Sequence, residues 1–103
     1  MSFQSKYRLE IAPIAQSDII DILQYTHENY GKRQRKNYSD AIRKALKTIQ
    51  EVPYLGHARN DIGENYKAWN VNKHTIIYAI EGNIISIFRV LHSRMDFPEY
   101  IVI

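Results

Sequence analysis

The sequence predicts an α+β fold in the order β-α-α-β-β-β, with an antiparallel helical hairpin packed on one face of a sheet that ends in a three-stranded antiparallel meander. Three observations predict it. Apolar residues recur with period 2 near the N-terminus, with helical period through the middle, and with period 2 again in the last third. A lone Gly31 separates the two helical stretches. Links of two residues join the last three strand-like runs, which makes them antiparallel neighbours. At 103 residues the chain reads as one domain, 1–103, without linker, repeat or low-complexity stretch.

Taken in order, "KYRLEIA" (6–12) alternates Tyr7, Leu9 and Ile11 with Lys6, Arg8 and Glu10, the pattern of a half-buried strand. From Pro13, which is harmless in a first helical turn, Ala15, Ile19, Ile22, Leu23 and Tyr30 recur at helical spacing, so helix one runs to about Tyr30. Gly31 breaks it. Tyr38, Ala41, Ile42, Ala45, Leu46 and Ile49 then form a second apolar stripe, and helix two ends at Val52, because the residue before Pro53 is pushed out of the α region. With so short a break the helices fold back on each other. "PYLGHARNDIGE" has the composition of a loop. "NYKAWNV", "HTIIYAI" and "NIISIFRVLH" are strands two to four, with turns at Asn72-Lys73 and Glu81-Gly82. In strand four, Ile85, Ile87 and Leu91 lie on one face and Ile84, Phe88 and Val90 on the other. The hairpin covers one face, which leaves the other as a second core under loop and tail or as a surface for a partner.

A hydrophobic fraction of 45% with 24% charged residues indicates a compact folded domain rather than a disordered chain. Without cysteine there is no disulfide, thiol nucleophile or thiolate metal site. "MSFQSKYRLE" lacks the pattern of a secretory signal, and no apolar run is long enough to span a bilayer, so the expected compartment is the cytoplasm. The net charge of +3 is unevenly spread: Lys32, Arg33, Arg35, Lys36, Arg43, Lys44 and Lys47, half of the 14 Lys and Arg, lie in one segment with Asp40 as its acid. Such a segment is either a solvated helix face or an electrostatic footprint for a polyanion.

The candidate chemistry lies in "RVLHSRMD", where His92, Arg94 and Asp96 share one face of a strand end. Its plain reading is an exposed ion pair worth about 0.2–1 kcal/mol. A triad of Ser93, His92 and Asp96 is geometrically poor, because Ser93 and His92 point to opposite faces. His27, His57 and His74 show no ligand spacing and the glycines of "YLGHARNDIGE" no phosphate-loop spacing, so neither a metal nor a cofactor is expected. Arg89, placed among Ile87 and Leu91, is a candidate structural arginine paired with a buried acid. Tyr66, Trp69 and Tyr78 read first as core aromatics, although Trp69 has few large apolar neighbours in its strand.

In sequence order, "IAQSDIIDILQYTHENYGKRQRKNY", "ALKTIQEVPYLGHARNDI" and "HTIIYAIEGNIISIFRVLHSRMD" resemble the ParE branch of the RelE/ParE toxin superfamily over nearly the whole chain. The more specific elements are Asp18-Ile19, Tyr25, Tyr30-Gly31, Pro53, Gly56 and the closing run from Arg89 to Asp96. The resemblance implies a toxin that inhibits DNA gyrase by protein–protein binding, with no catalytic residues, and that a cognate ParD-like antitoxin neutralises. It also implies no membrane association and no sequence-specific nucleic acid binding by the toxin alone. The target-binding surface is then Arg94, oriented by Asp96, with His92 as a secondary contact and Phe97 and Tyr100 as aromatic anchors; Trp69 is the candidate antitoxin contact.

Two alternatives follow from the same resemblance. One is a RelE-like ribosome-dependent messenger RNA interferase using His92, Arg94, Lys67 and Lys73. Trp69 and Thr75, however, stand near positions where that branch carries basic residues, and a general base is missing. The other is a relic that keeps antitoxin binding without toxicity.

Overall fold

The structure is a computed structural model that describes residues 6–93. Strand β1 (Arg8–Ile11) leads into helix α1 (Pro13–Tyr30) and helix α2 (Lys32–Glu51). A one-turn 3-10 helix (Pro53–Leu55) and a two-residue strand β2 (His57–Ala58) follow, then β3 (Tyr66–Val71), β4 (His74–Glu81) and β5 (Ile84–His92). The sheet order is β1-β5-β4-β3-β2, antiparallel throughout except that β1 runs parallel to β5.

The helices begin and stop where local chemistry requires. Pro13 occupies the first turn of α1, where its missing N–H costs no intrahelical bond. Gly31 ends α1 and starts α2 at φ 92°, a left-handed conformation in which a Cβ would be strained although nothing lies within 4 Å of it. Its N–H donates to the His27 carbonyl at 3.0 Å and its carbonyl accepts from the Arg35 N–H at 3.1 Å, so one residue serves both helix ends. Val52 lies just beyond α2, as the following Pro53 requires.

The main core lies between the hairpin and one sheet face. Ala15, Ile42, Ala45 and Ile49 pack there against Ile76, Tyr78, Ile80, Ile85, Ile87 and Val90. Tyr30, expected in the α1 stripe, is instead 65% exposed at the end of that helix. The segment expected to be loop contributes β2, paired with Ala68 and Lys67, and seats the Tyr78 side chain. The Tyr78 hydroxyl donates to the Pro53 carbonyl at 2.7 Å, and burial pushes its pKa up to about 12, partly offset by a backbone hydrogen bond from Gly56. A Cβ on Gly56 would land on that hydroxyl, so glycine is needed there for close approach.

Two sequence expectations are corrected within the meander. The β4–β5 turn is Gly82-Asn83 rather than Glu81-Gly82, because Glu81 pairs with Ile84 and Gly82 supplies the positive φ of 61°. The alternation of strand four is also broken. Ile77 pairs with Arg89 and Tyr78 with Ile87, which leaves Phe88 as an extra residue in β5. This bulge reverses the parity beyond it. Val90 joins Ile85 and Ile87 in the main core, and Leu91 moves to the other face with Ala68 and Ile77. That second face is a small core, capped by Ile62 and Tyr66, with Tyr66 stacked on Phe88 at 5.2 Å between ring centroids.

The bulge also fixes how α1 meets the sheet. Pairing of β1 with β5 ends at Ile11 and Ile87, with a last bond from the Ala12 N–H to the Ile87 carbonyl at 2.9 Å. Past that point Asp18 takes over the open edge of β5. Its carboxylate accepts from the Arg89 guanidinium at 2.8 and 3.1 Å and from the Val90 N–H at 3.0 Å. Both side chains are largely buried, 14% exposed for Asp18 and 16% for Arg89. Arg89 is thus the structural arginine the sequence suggested, and Asp18 is its acid. Replacing Asp18 by Ala removes the carboxylate from a largely buried guanidinium and is expected to cost about 3 kcal/mol in urea unfolding, whereas neutralising the exposed Lys36–Asp40 pair should shift stability by less than about 1 kcal/mol.

Candidate functional site

A cleft of about 940 Å³ opens where the closed end of the helical hairpin faces the β3–β4 turn and the end of β5. Tyr25, Thr26 and Tyr30 of α1, Tyr38 of α2, Lys73 of the turn, and His74 and His92 line it. The β4–β5 register explains the histidines. His74 is the first residue of β4 and pairs with His92, the last of β5, and the two rings meet edge to face at 5.4 Å.

Tyr38 fixes the orientation of His74. Its hydroxyl donates to the Val71 carbonyl at 3.1 Å and bonds His74 Nδ1. Burial, and then the neighbouring His92, hold the His74 pKa below its ordinary value. Burial raises that of Tyr38, against a smaller opposing effect of a hydrogen bond from the Lys73 backbone. Near neutral pH both members of this pair are uncharged.

Of the residues singled out in the sequence, the fold brings His92 and Lys73 together at the cleft and sends Lys67 elsewhere. Lys67 pairs with Tyr78, four register positions along β4 from His74, roughly 13 Å at the usual strand rise. Its Nζ donates to the Gly56 carbonyl at 3.4 Å. Trp69 is half-buried against the main core. The Ser93 hydroxyl lies 3.0 Å from that of Thr75, which itself donates to Asn70 at 2.9 Å. Thr75 is on the face opposite His74, so Ser93 and His92 diverge as the strand geometry requires. The described part of β5 ends at His92, with Ser93 in a turn. Arg94, Asp96, Phe97 and Tyr100 lie outside the described residues.

Sequence reasoning missed Tyr38 and His74 as site residues. Tyr38 fitted the apolar stripe of α2, and His74 was one of three histidines without ligand spacing. The hairpin register carried no usable signal: counting from the Gly82-Asn83 turn places His74 opposite Leu91, and it is the extra residue Phe88 that brings it opposite His92. Among the described residues no group of three His, Cys, Asp or Glu side chains is arranged to hold a metal ion. Nor is any described helix long and apolar enough to cross a membrane.

The architecture is that of RelE/ParE-type toxins. The chromosomal ParDE toxin–antitoxin system from P. aeruginosa superposes with a TM-score of 0.73 at 16% identity, covering 86% of this chain and 98% of that one. The DinJ-YafQ toxin–antitoxin complex from E. coli superposes at 0.59 and 14% identity, over 84% and 92% of the two chains. In sequence, Toxin ParE1 of Mycobacterium tuberculosis is 30% identical over 90 residues, 86% of this chain and 92% of the relative. Toxin ParE1 of Caulobacter vibrioides is 27% identical over 82 residues, 80% and 84% of the two chains. The family model for the ParE toxin of the type II toxin–antitoxin system parDE matches residues 9–97, and the chain belongs to that family. It is the toxin component of a type II toxin–antitoxin system.

The depressed pKa of His74 has a definite sign in stability. The unfolded chain takes up the proton near the ordinary value of 6.5, while the folded chain resists it. Stability linked to His74 is therefore complete above pH 6.5 and falls as the pH drops through 6.5 and on through the lower folded-state value. Urea midpoints measured between pH 7.5 and about 5 should decline in the parent protein, and His74→Gln should flatten that decline.

Proposed function

We propose that this toxin acts by binding DNA gyrase and blocking its cycle, rather than by cleaving RNA, and that a ParD-like antitoxin neutralises it. The observation that carries the reading is the composition of the cleft. A ribonuclease working through the ribose 2′-hydroxyl needs a base, an acid and cations around the phosphate. Here His92 and Lys73 meet an uncharged Tyr38–His74 pair, Lys67 is bonded to Gly56 at the other end of β3, and Trp69 and Thr75 fill neighbouring strand positions. The cleft instead exposes Tyr25 and Tyr30 at 61% and 65%, aromatic surface suited to a protein partner.

The antitoxin part of the reading is supported by family membership and by the ParDE system from P. aeruginosa that shares the fold. Trp69, half-buried against the main core, remains the proposed antitoxin contact. The proposed site of action is the cytoplasm, where gyrase and chromosome meet.

Two measurements test the proposal. Purified toxin added to gyrase and relaxed plasmid should block supercoiling and accumulate cleaved DNA, while ribosome-bound messenger RNA should stay intact; cut message with unaffected gyrase would overturn it. The docking surface is proposed to centre on Arg94, with Asp96, His92, Phe97 and Tyr100 around it. Arg94→Ala should then weaken gyrase binding by about 2 kcal/mol, while His92→Gln changes it little. An Arg94→Ala protein that folds and remains fully toxic in cells would move the surface elsewhere.

A further inference from the structure

The cationic segment noticed in the sequence is a single exposed helix face. Lys32, Arg33, Lys36, Arg43, Lys44 and Lys47 all fall within about 120° of arc on α2 at 3.6 residues per turn, and each is exposed. Arg35, also exposed, flanks them. The arc lies opposite Ile42, Ala45 and Ile49, which the main core buries. From Lys32 to Lys47 the stripe is roughly 22 Å long. Asp40 is its acid, bonded to Lys36 at 3.1 Å.

Two features set this face apart from a merely solvated one. The first turn of α2 holds Lys32, Arg33 and Arg35 and no acidic residue, and no side chain caps it. Cations at the positive end of the helix dipole weaken the helix, so local stability does not account for them. Apolar anchors are also missing. The exposed large apolar residues of the described chain, among them Ile20, Tyr25, Tyr30, Tyr54 and Leu55, all lie outside α2. Protein interfaces are built around buried aromatic or aliphatic anchors, which this stripe lacks. Single-stranded nucleic acid calls for stacking aromatics, and Tyr38 of α2 points instead to His74 on the buried side.

We propose that the exposed face of α2 is a binding surface for the phosphate backbone of duplex DNA, independent of sequence. B-form DNA presents one negative charge per about 1.7 Å of axis, so a stripe of this length faces on the order of a dozen phosphates. Its major groove, about 12 Å wide, accepts a helix whose cations reach the flanking backbones, whereas the deep, narrow major groove of duplex RNA does not. None of the stripe's cations lines the cleft, and binding here is read without gyrase, so the proposal stands or falls separately from the gyrase proposal.

The test is fluorescence anisotropy of the full chain on a duplex of about 30 base pairs of arbitrary sequence, in salt from about 50 to 200 mM. Four phosphate contacts, from Lys32, Lys36, Arg43 and Lys47, give a log–log salt slope of about −3.6, or on the order of a 100-fold loss of affinity across that range. The K36Q/R43Q/K47Q variant, with unchanged circular dichroism and melting temperature, should bring the slope to about −0.9. If that variant fails to fold, D40N carries the test in the opposite direction, since removing the acid frees Lys36 and should tighten binding several-fold. Absent DNA binding at the lowest salt, a slope untouched by the triple variant, or no tightening in D40N overturns the proposal. Equal affinity for polyglutamate would overturn it in favour of an acidic protein partner, and equal affinity for duplex RNA would overturn the choice of DNA.

Discussion

One carboxylate holds the helical layer to the sheet. Asp18 accepts two guanidinium bonds from Arg89 and a third from the Val90 backbone, at the point where β1 has ended and the edge of β5 would otherwise be open. A buried charge is tolerable when it is paired and its lone pairs are filled, and three donors on one carboxylate meet that condition. The partners are 71 residues apart in sequence, so the pair forms when α1 and β5 are both in place. It therefore sets the relative position of hairpin and sheet end, which are the two walls of the cleft.

The Phe88 bulge makes this arrangement possible. Without the extra residue Val90 would face away from the helices, and Leu91 would face them. With it, Ile85, Ile87 and Val90 share the main core while Leu91 fills the small core beneath Ile62. The same change of parity brings His92 to the helix side, opposite His74 and near Tyr38. A local irregularity in one strand thus decides which polar side chains reach the cleft. Bulges beside functional surfaces commonly act this way, re-aiming side chains without altering the rest of the ladder.

This also marks what could be read from the sequence and what could not. The helices, the break at Gly31 and the three meander strands were legible because each rests on a periodic apolar pattern or on a glycine or proline with a local reason. The role of Arg89 was legible in kind, because a cation among apolar strand residues needs a buried partner, but nothing in the spacing pointed to Asp18. The bulge was illegible: an extra residue in an apolar run leaves no mark when both faces of the strand are apolar. Strand β2 is two residues long, below any periodicity, and the parallel partner of β1 is a matter of topology rather than pattern. Of the residues lining the cleft, His92 and Lys73 stood out by type and position, whereas Tyr38 and His74 were hidden by readings that fitted each of them singly.

The molecule divides its electrostatics between two surfaces. At the cleft, burial favours the neutral forms of His74 and Tyr38, and Tyr25 and Tyr30 present exposed aromatic surface. On α2, a row of cations stands fully in water with one acid among them. The first arrangement suits dry contact with a protein, where uncompensated charge would be costly to bury. The second suits a long-range, salt-sensitive attraction that steers encounter without demanding shape complementarity. Because the core separates the stripe from the sheet face that Ile42, Ala45 and Ile49 cover, a ligand on α2 leaves that packing untouched. The two proposed contacts, a protein at the cleft and DNA along α2, therefore call on different side chains.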